Sequence, residues 1–271
     1  MIDYALVLAN DLTDPDAMLR VCRLAAPHID GVKIGITSSM VPGAAIFRRV
    51  RELMEDKPIL ADFKVGDISF PAQDGTFGGT NARIIETLMH WGADYVTVHA
   101  FPGWSSMQEA LWAAHRAGGK ALVLPFMTHP GADLFFGMPL NKRHTIDSLE
   151  RTGIPKAAEV VSDCSTVSEL ILALGERMGV DGFIGPGNQP EILQAYRSRT
   201  SKEIWSPGFG RQDRRGRDLS EQFRHWARSV GPRSAAIVGS IIYNDPSPAE
   251  AAHGIRRILQ QATDSAAISE R

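Results

Sequence analysis

Leu60-Ala61-Asp62-Phe63-Lys64-Val65-Gly66-Asp67-Ile68 is the stretch on which the reading of this chain turns. Residues 58–63 read as a buried strand. Side chains alternate along a strand, so Asp62 and Lys64, two apart, share one face at its end. A carboxylate and an ammonium in that position are costly to desolvate unless something uses them. A further carboxylate, Asp67, follows at once.

Working outward, short runs rich in Val, Ile and Leu recur at 4–9, 30–36, 58–63, 93–99, 120–126, 180–185, 203–206 and 235–239. They do not alternate apolar with polar, which marks strands buried on both faces, as in a parallel sheet. Amphipathic helices fall between them. Met18, Val21, Cys22 and Ala25 form one inner stripe after Asp14-Pro15; Ile46, Phe47, Val50, Leu53 and Met54 form another. Strands alternating with helices through 271 residues predict an α/β protein, a single (β/α)8 TIM barrel spanning 1–271. Two connections exceed the barrel rhythm. Residues 69–79 read as an extended loop after strand three, and 134–155 as a polar, basic loop after strand five; 156–178 reads as helical. The end of the chain, 262–271, is polar and is expected to fray as a flexible tail.

Composition narrows the function classes. The formal charge is −2, so no global basic field draws nucleic acid or a membrane surface. Cys22 and Cys164 are the only cysteines, too few for a disulfide framework and consistent with a reducing, cytoplasmic setting. Neither a signal peptide nor a transmembrane span is expected. The histidines are scattered without metal-ligand spacing, so no metal is expected. His99 and His129 are read as packing or supporting residues.

Function in such a barrel gathers where strands end. Strand one ends at Asp11, strand two carries Lys33, and strand three supplies Asp62, Lys64 and Asp67. This alternation of acids and lysines suits proton delivery to a carbanion. A lysine between carboxylates keeps its proton and can serve as a general acid. A fixed carboxylate repels a substrate carboxylate until carbon dioxide leaves. An alternative is an ion-pair network that only braces the barrel. Glycine-rich turns after strands seven and eight, Pro207-Gly208-Phe209-Gly210 and Val238-Gly239-Ser240, have the form of a phosphate site. Gly185-Pro186-Gly187 is read as an ordinary turn.

The segment Asp62-Phe63-Lys64-Val65-Gly66-Asp67-Ile68 resembles the Asp-x-Lys-x-x-Asp-Ile signature of the orotidine 5′-monophosphate decarboxylase family, archaeal-type branch. The resemblance runs in order through Asp11, Val32-Lys33-Ile34-Gly35, Val98-His99-Ala100-Phe101-Pro102-Gly103, Met127-Thr128-His129-Pro130-Gly131-Ala132, Ser206-Pro207-Gly208-Phe209-Gly210 and Ile237-Val238-Gly239. It implies a cofactor-independent homodimer with sites at the interface. In that resemblance Lys64 protonates C6, Asp62 lies beside the leaving carboxylate, and Asp67 and Thr80 reach across from the partner. Asp11 and Lys33 contact the ribose, Ile68 forms an apolar pocket, Thr128 meets the pyrimidine, and Gln212 bridges phosphate and base. Pro207 and Gly239 belong to the phosphate turns.

Two departures stand out. Ser240 occupies the place of a phosphate-gripping arginine, and 69–79 lengthens a connection that the family keeps short. Arg211, Arg214, Arg215 and Arg217 crowd the loop after strand seven; either one of them substitutes, Arg211 being nearest in sequence to the phosphate glycines, or they form a solvated basic loop. The alternatives are a shifted pyrimidine nucleotide or nucleoside acid substrate, and a non-catalytic binding relative. A magnesium-dependent sugar-phosphate decarboxylase is a further competitor. Lys33 argues against it, because a cation there repels the metal.

Overall fold

The computed structural model describes residues 3–70, 76–210, 213 and 215–269. Eight parallel strands close in sequential order into one barrel. They are β1 (Tyr4–Asn10), β2 (Gly31–Gly35), β3 (Ile59–Val65), β4 (Tyr95–His99), β5 (Lys120–Leu124), β6 (Gly182–Ile184), β7 (Glu203–Ser206) and β8 (Ser234–Val238). The helices are α1 (Pro15–Ala25), α2 (Ile36–Ser39), α3 (Ala44–Met54), α4 (Thr80–Trp91), α5 (Trp104–Arg116), α6 (Asp133–Phe136), α7 (Lys142–Arg151), α8 (Ala157–Ser162), α9 (Val167–Met178), α10 (Pro190–Arg197), α11 (Leu219–Val230), α12 (Ser240–Tyr243) and α13 (Pro248–Ser269). Among the described residues, no helix is long and apolar enough to cross a membrane.

Local sequence explains the repeating unit. Asp14 accepts a hydrogen bond from Ala17 N at 2.7 Å and Pro15 opens α1, so the helix starts where its free N–H groups are met. Its buried stripe, Met18, Leu19, Val21, Cys22 and Ala25, then packs against the barrel wall. Strand residues alternate between two cores. Val7, Ala9, Leu60, Leu122, Leu124, Ile184, Ala235 and Ile237 fill the barrel, while Leu6, Leu8, Val32, Ile34 and Ala61 face the helix layer. The strands expected from the apolar runs are all present, with ends moved by one or two residues in most cases.

Three expectations are corrected. The stretch 134–155 is not simply a loop, for it holds α7. Asn141 caps that helix by accepting from His144 N at 3.1 Å, and Leu149 is its buried residue; so small an apolar face reads as polar loop in sequence. Residues 156–178 form two helices, separated where Thr166 and Glu169 make a reciprocal capping box that restarts the chain as α9. The end of the chain, read as polar tail, is helical to Ser269: α13 continues the stripe of Leu259 with buried Ala262 and Ala266, whose small side chains disguise it. Of the long connection after β3, residues 71–75 lie outside the described residues; Phe77 beyond them is buried against Trp112.

The N-terminal mouth of the barrel is closed by polar groups. Glu203, 2% exposed, accepts from Trp205 Nε1 at 2.9 Å, Lys120 Nζ at 3.3 Å and Tyr95 OH at 3.3 Å. Glu203→Leu removes the acceptor for these donors. It should lower the unfolding free energy by about 2 kcal/mol or more, on a scale of about 1–3 kcal/mol per orphaned buried donor. Glu203→Gln, which keeps an acceptor, should cost less. Denaturant midpoints of the two variants check this.

Candidate active site

At the opposite, C-terminal end of the strands lies a cavity of about 350 Å³. Its wall takes Asp11 from the β1 end, Lys33 from β2, Asp62 and Lys64 from β3, and Thr97 from β4. Thr128, Pro207, Gly208, Gly239, Ser240 and Tyr243 close the far side.

Four charged side chains form a continuous chain across one wall. Lys33 Nζ donates to Asp11 Oδ1 at 2.9 Å and to Asp62 Oδ2 at 3.1 Å, and Lys64 Nζ donates to Asp62 Oδ1 at 2.8 Å. Lys33 and Asp62 are the most enclosed, with side chains 10% and 16% exposed. Burial pulls the Lys33 ammonium toward deprotonation, but the carboxylates of Asp62 and Asp11 outweigh it and raise its pKa above the ordinary value. Burial likewise pushes the Asp62 carboxyl up, and Lys33 and Lys64 together outweigh that, holding it below the ordinary value. Lys33 and Asp62 are therefore both held in their charged forms by their neighbours.

The end of β3 is irregular. Its ladder with β4 steps from Ala61↔Val96 to Val65↔Val98, and Lys64 sits in the left-handed region at φ +48°. A lysine there costs about 1–3 kcal/mol and persists only where neighbours enforce it. Simple alternation therefore does not account for the Asp62–Lys64 contact: a bulge carries Lys64 to it.

The structure brings Asp11, Lys33, Asp62, Lys64, Thr128, Pro207, Gly239 and Ser240 around one cavity. Asp67, Ile68 and Thr80 are outside its lining and exposed to solvent in the single chain. The backbone of Asp67 is nonetheless held. Buried Asn81 accepts from Asp67 N at 2.8 Å and donates through Nδ2 to Asp67 O at 3.0 Å. Arg211, Gln212 and Arg214 lie outside the described residues. Of the neighbouring arginines, Arg215 pairs with Glu191 at 2.5 Å, and Arg217 with Asp213 at 2.7 Å and the Asn188 carbonyl at 3.0 Å.

Sequence reasoning missed Thr97 and Tyr243, and read Gly185-Pro186 as an ordinary turn although both residues line the cavity. Thr97 looks like any strand residue in its apolar run. Tyr243 follows Ser240 by one helical turn, the signal that was available. Burial raises the Tyr243 pKa, Asp11 adds to the rise and Lys33 opposes it. His99 lies outside the lining and packs on Phe101, while exposed His129 contributes to the cavity wall. Burial, then the Lys64 cation, lowers the His99 pKa.

The closed barrel and the charged wall at its C-terminal mouth define a (β/α)8-barrel enzyme. Residues 4–255 match the model of the orotidine 5′-phosphate decarboxylase / HUMPS family, and the chain belongs to that family as a carboxy-lyase. It is 29% identical to an orotidine 5′-phosphate decarboxylase of Methanococcoides burtonii over 92% of this chain and 94% of that one. Among solved structures it is similar to orotidine 5′-monophosphate decarboxylase from Methanocaldococcus jannaschii complexed with inhibitor BMP. That match has TM-score 0.72 and 24% identity, and covers 95% of this chain and 99% of the other. The enzyme from Pyrococcus horikoshii OT3 gives TM-score 0.69 and 25% identity, with 94% and 99% covered.

The charge network makes stability pH-dependent with a fixed sign. Asp62, depressed from 3.8, contributes stability present above that value and lost as pH falls through its lower folded-state pKa. Lys33, raised from 10.5, contributes stability present below that value and lost as pH rises through its higher folded-state pKa. Asp62→Asn should therefore be less stable than the parent at neutral pH. The gap should narrow in acid below about the ordinary carboxylate range, which urea midpoints across pH measure.

Proposed function

We propose that this enzyme decarboxylates orotidine 5′-monophosphate to uridine 5′-monophosphate without a cofactor, in pyrimidine nucleotide synthesis. The observation that carries the reading is the Asp11–Lys33–Asp62–Lys64 chain lining a cavity of nucleotide-fragment size. The names of its relatives support the same substrate.

In this mechanism the substrate carboxylate lies beside Asp62, which the two lysines keep ionised. The C6–carboxylate bond breaks, carbon dioxide leaves, and the electron pair stays on C6. Lys64 delivers a proton from Nζ to that carbon, and solvent restores it. Repulsion between two carboxylates is relieved as carbon dioxide departs, while the ammonium groups stabilise the charge that develops on the ring. Lys33 and Asp11 hold the ribose hydroxyls, Thr128 the pyrimidine, and the turns at Pro207 and Gly239 the phosphate. By the family resemblance Gln212, with Arg211 next to it in sequence, serves the phosphate end, and Ile68, off the cavity lining in one chain, the apolar side near the leaving group.

The reading includes a homodimer. Asp67 and Thr80, exposed and off the cavity lining in one chain, reach the partner's site across the interface. Lys64→Ala and Asp67→Ala should each be nearly inactive alone, and activity should return when the two are unfolded and refolded together. No recovery would separate Asp67 from the partner's site.

Ser240 favours a second reading, because it offers a hydroxyl to the cavity where relatives of this pattern carry an arginine. In that reading the substrate is an orotidine-like acid with a different 5′ group. An ultraviolet decarboxylation assay with chelator present compares orotidine 5′-monophosphate with orotidine. Rapid loss of the orotate chromophore with the phosphorylated compound alone is expected, and equal turnover of both would favour the second reading. Lys64→Ala should lower kcat by about 10²–10⁴-fold, the scale of a lost general acid.

A further inference from the structure

We propose that Thr97 is a positioning residue of this site: its hydroxyl ties the backbone of Lys64 to the carboxylate of Asp62 and so holds the proton donor in register with its partner. The kinetic part rests on the decarboxylase reading above; the structural part does not.

Thr97 lies in the middle of β4 and is 1% exposed. Its Oγ1 accepts from Lys64 N at 2.8 Å and donates to Asp62 Oδ1 at 3.0 Å. The directions are forced, since a backbone N–H can only donate and an ionised carboxylate can only accept. The hydroxyl proton and a lone pair are thus both committed, one to each member of the pair.

The place matters as much as the bonds. Between Ala61↔Val96 and Val65↔Val98 the β3–β4 ladder is out of step, with Asp62, Phe63 and Lys64 facing Thr97 alone. On that side the backbone of the bulge has lost its regular strand partners. The Thr97 side chain supplies the acceptor that a carbonyl of β4 would otherwise give Lys64 N. It does so at the residue whose φ of +48° needs enforcing. With Thr97 removed, Lys64 gains by relaxing toward extended backbone, and relaxation swings its ammonium away from Asp62. Asp62 Oδ1, shared by Lys64 Nζ and Thr97 Oγ1, loses its second donor at the same time.

Thr97→Val keeps the shape and removes both hydrogen bonds; Thr97→Ser keeps both and removes a methyl group. With orotidine 5′-monophosphate, Thr97→Val should lose about 10²-fold in kcat, the scale of a roughly 1 Å misplacement of a reacting group, with KM little changed. Thr97→Ser should stay close to the parent. Parental kcat in Thr97→Val, or equal losses in Val and Ser, would overturn the proposal. If Thr97→Val does not fold, Thr97→Ala, which adds no bulk, should reproduce the kcat loss. Crystal structures give the independent arm. Lys64 should leave the positive-φ region and lose its contact with Asp62 in the Val or Ala variant and keep both in Ser; retention in the variant lacking the hydroxyl would refute the role. A parent that does not turn over the substrate would sink the decarboxylase reading, and the crystallographic comparison would still decide whether Thr97 positions Lys64.

Discussion

An ammonium group enclosed in a barrel wall stays charged only if carboxylates reach it, and the geometry at the C-terminal end of this barrel follows from that requirement at Lys33. Strand register supplies the partners. Lys33 on β2 lies opposite Ala9 on β1 and Leu60 on β3. Asp11 and Asp62 are each two residues further along those neighbouring strands, so both carboxylates sit one step above Lys33 on the inward face. A slip of one residue in either ladder would turn a charge into the helix layer and leave its counterpart unmatched. The apolar seams that pin the register are thus what makes the charged wall possible.

From Asp62 the order propagates into less regular structure. The bulge at the end of β3 trades ladder bonding for a lysine aimed at the cavity. Beyond it Asn81 clamps both backbone groups of Asp67 and also reaches Ser106 Oγ at 3.2 Å, which joins the starts of α4 and α5 to the strand end. Glu109, fully buried, accepts from Ala82 N at 3.1 Å and so meets one of the free N–H groups at the N-terminus of α4. The long connection of residues 69–79 therefore departs from and returns to a fixed base.

The far side of the cavity is built differently. Gly208 and Gly210 take φ of +112° and +76°, which only glycine adopts at little cost. These turns bring backbone close to the cavity beside Ser240 and Tyr243. Among the described residues here, Arg217 ties the loop after β7 to the one after β6 through Asp213 and the Asn188 carbonyl.

Much of this was written in the chain itself. Non-alternating apolar runs mark strands buried on both faces, and their spacing by helical stripes leaves few architectures other than a barrel. The acids and lysines at three successive strand ends were legible for the same reason, since charge in such a run is rare enough to demand a use. What escaped was whatever depends on weak or ambiguous local signals. The helix at 142–151 shows little apolar face, and the inner stripe of the last helix is made of alanines. Thr97 belongs to a strand where threonine is ordinary.

Local pattern by itself determined that the chain folds as a (β/α)8 barrel and that Asp11, Lys33, Asp62 and Lys64 belong to the first three strands or the turns that follow them, because both follow from periodicity along the chain. Only the tertiary structure decided which carboxylate meets which lysine, that a bulge rather than simple alternation presents Lys64, and that Thr97 joins Lys64 to Asp62. It also decided that Asp67, Ile68 and Thr80 lie outside the single-chain cavity. Those outcomes depend on inter-strand register and on groups distant in sequence, such as Thr97 and Asp62 on different strands, whose meeting no local propensity encodes.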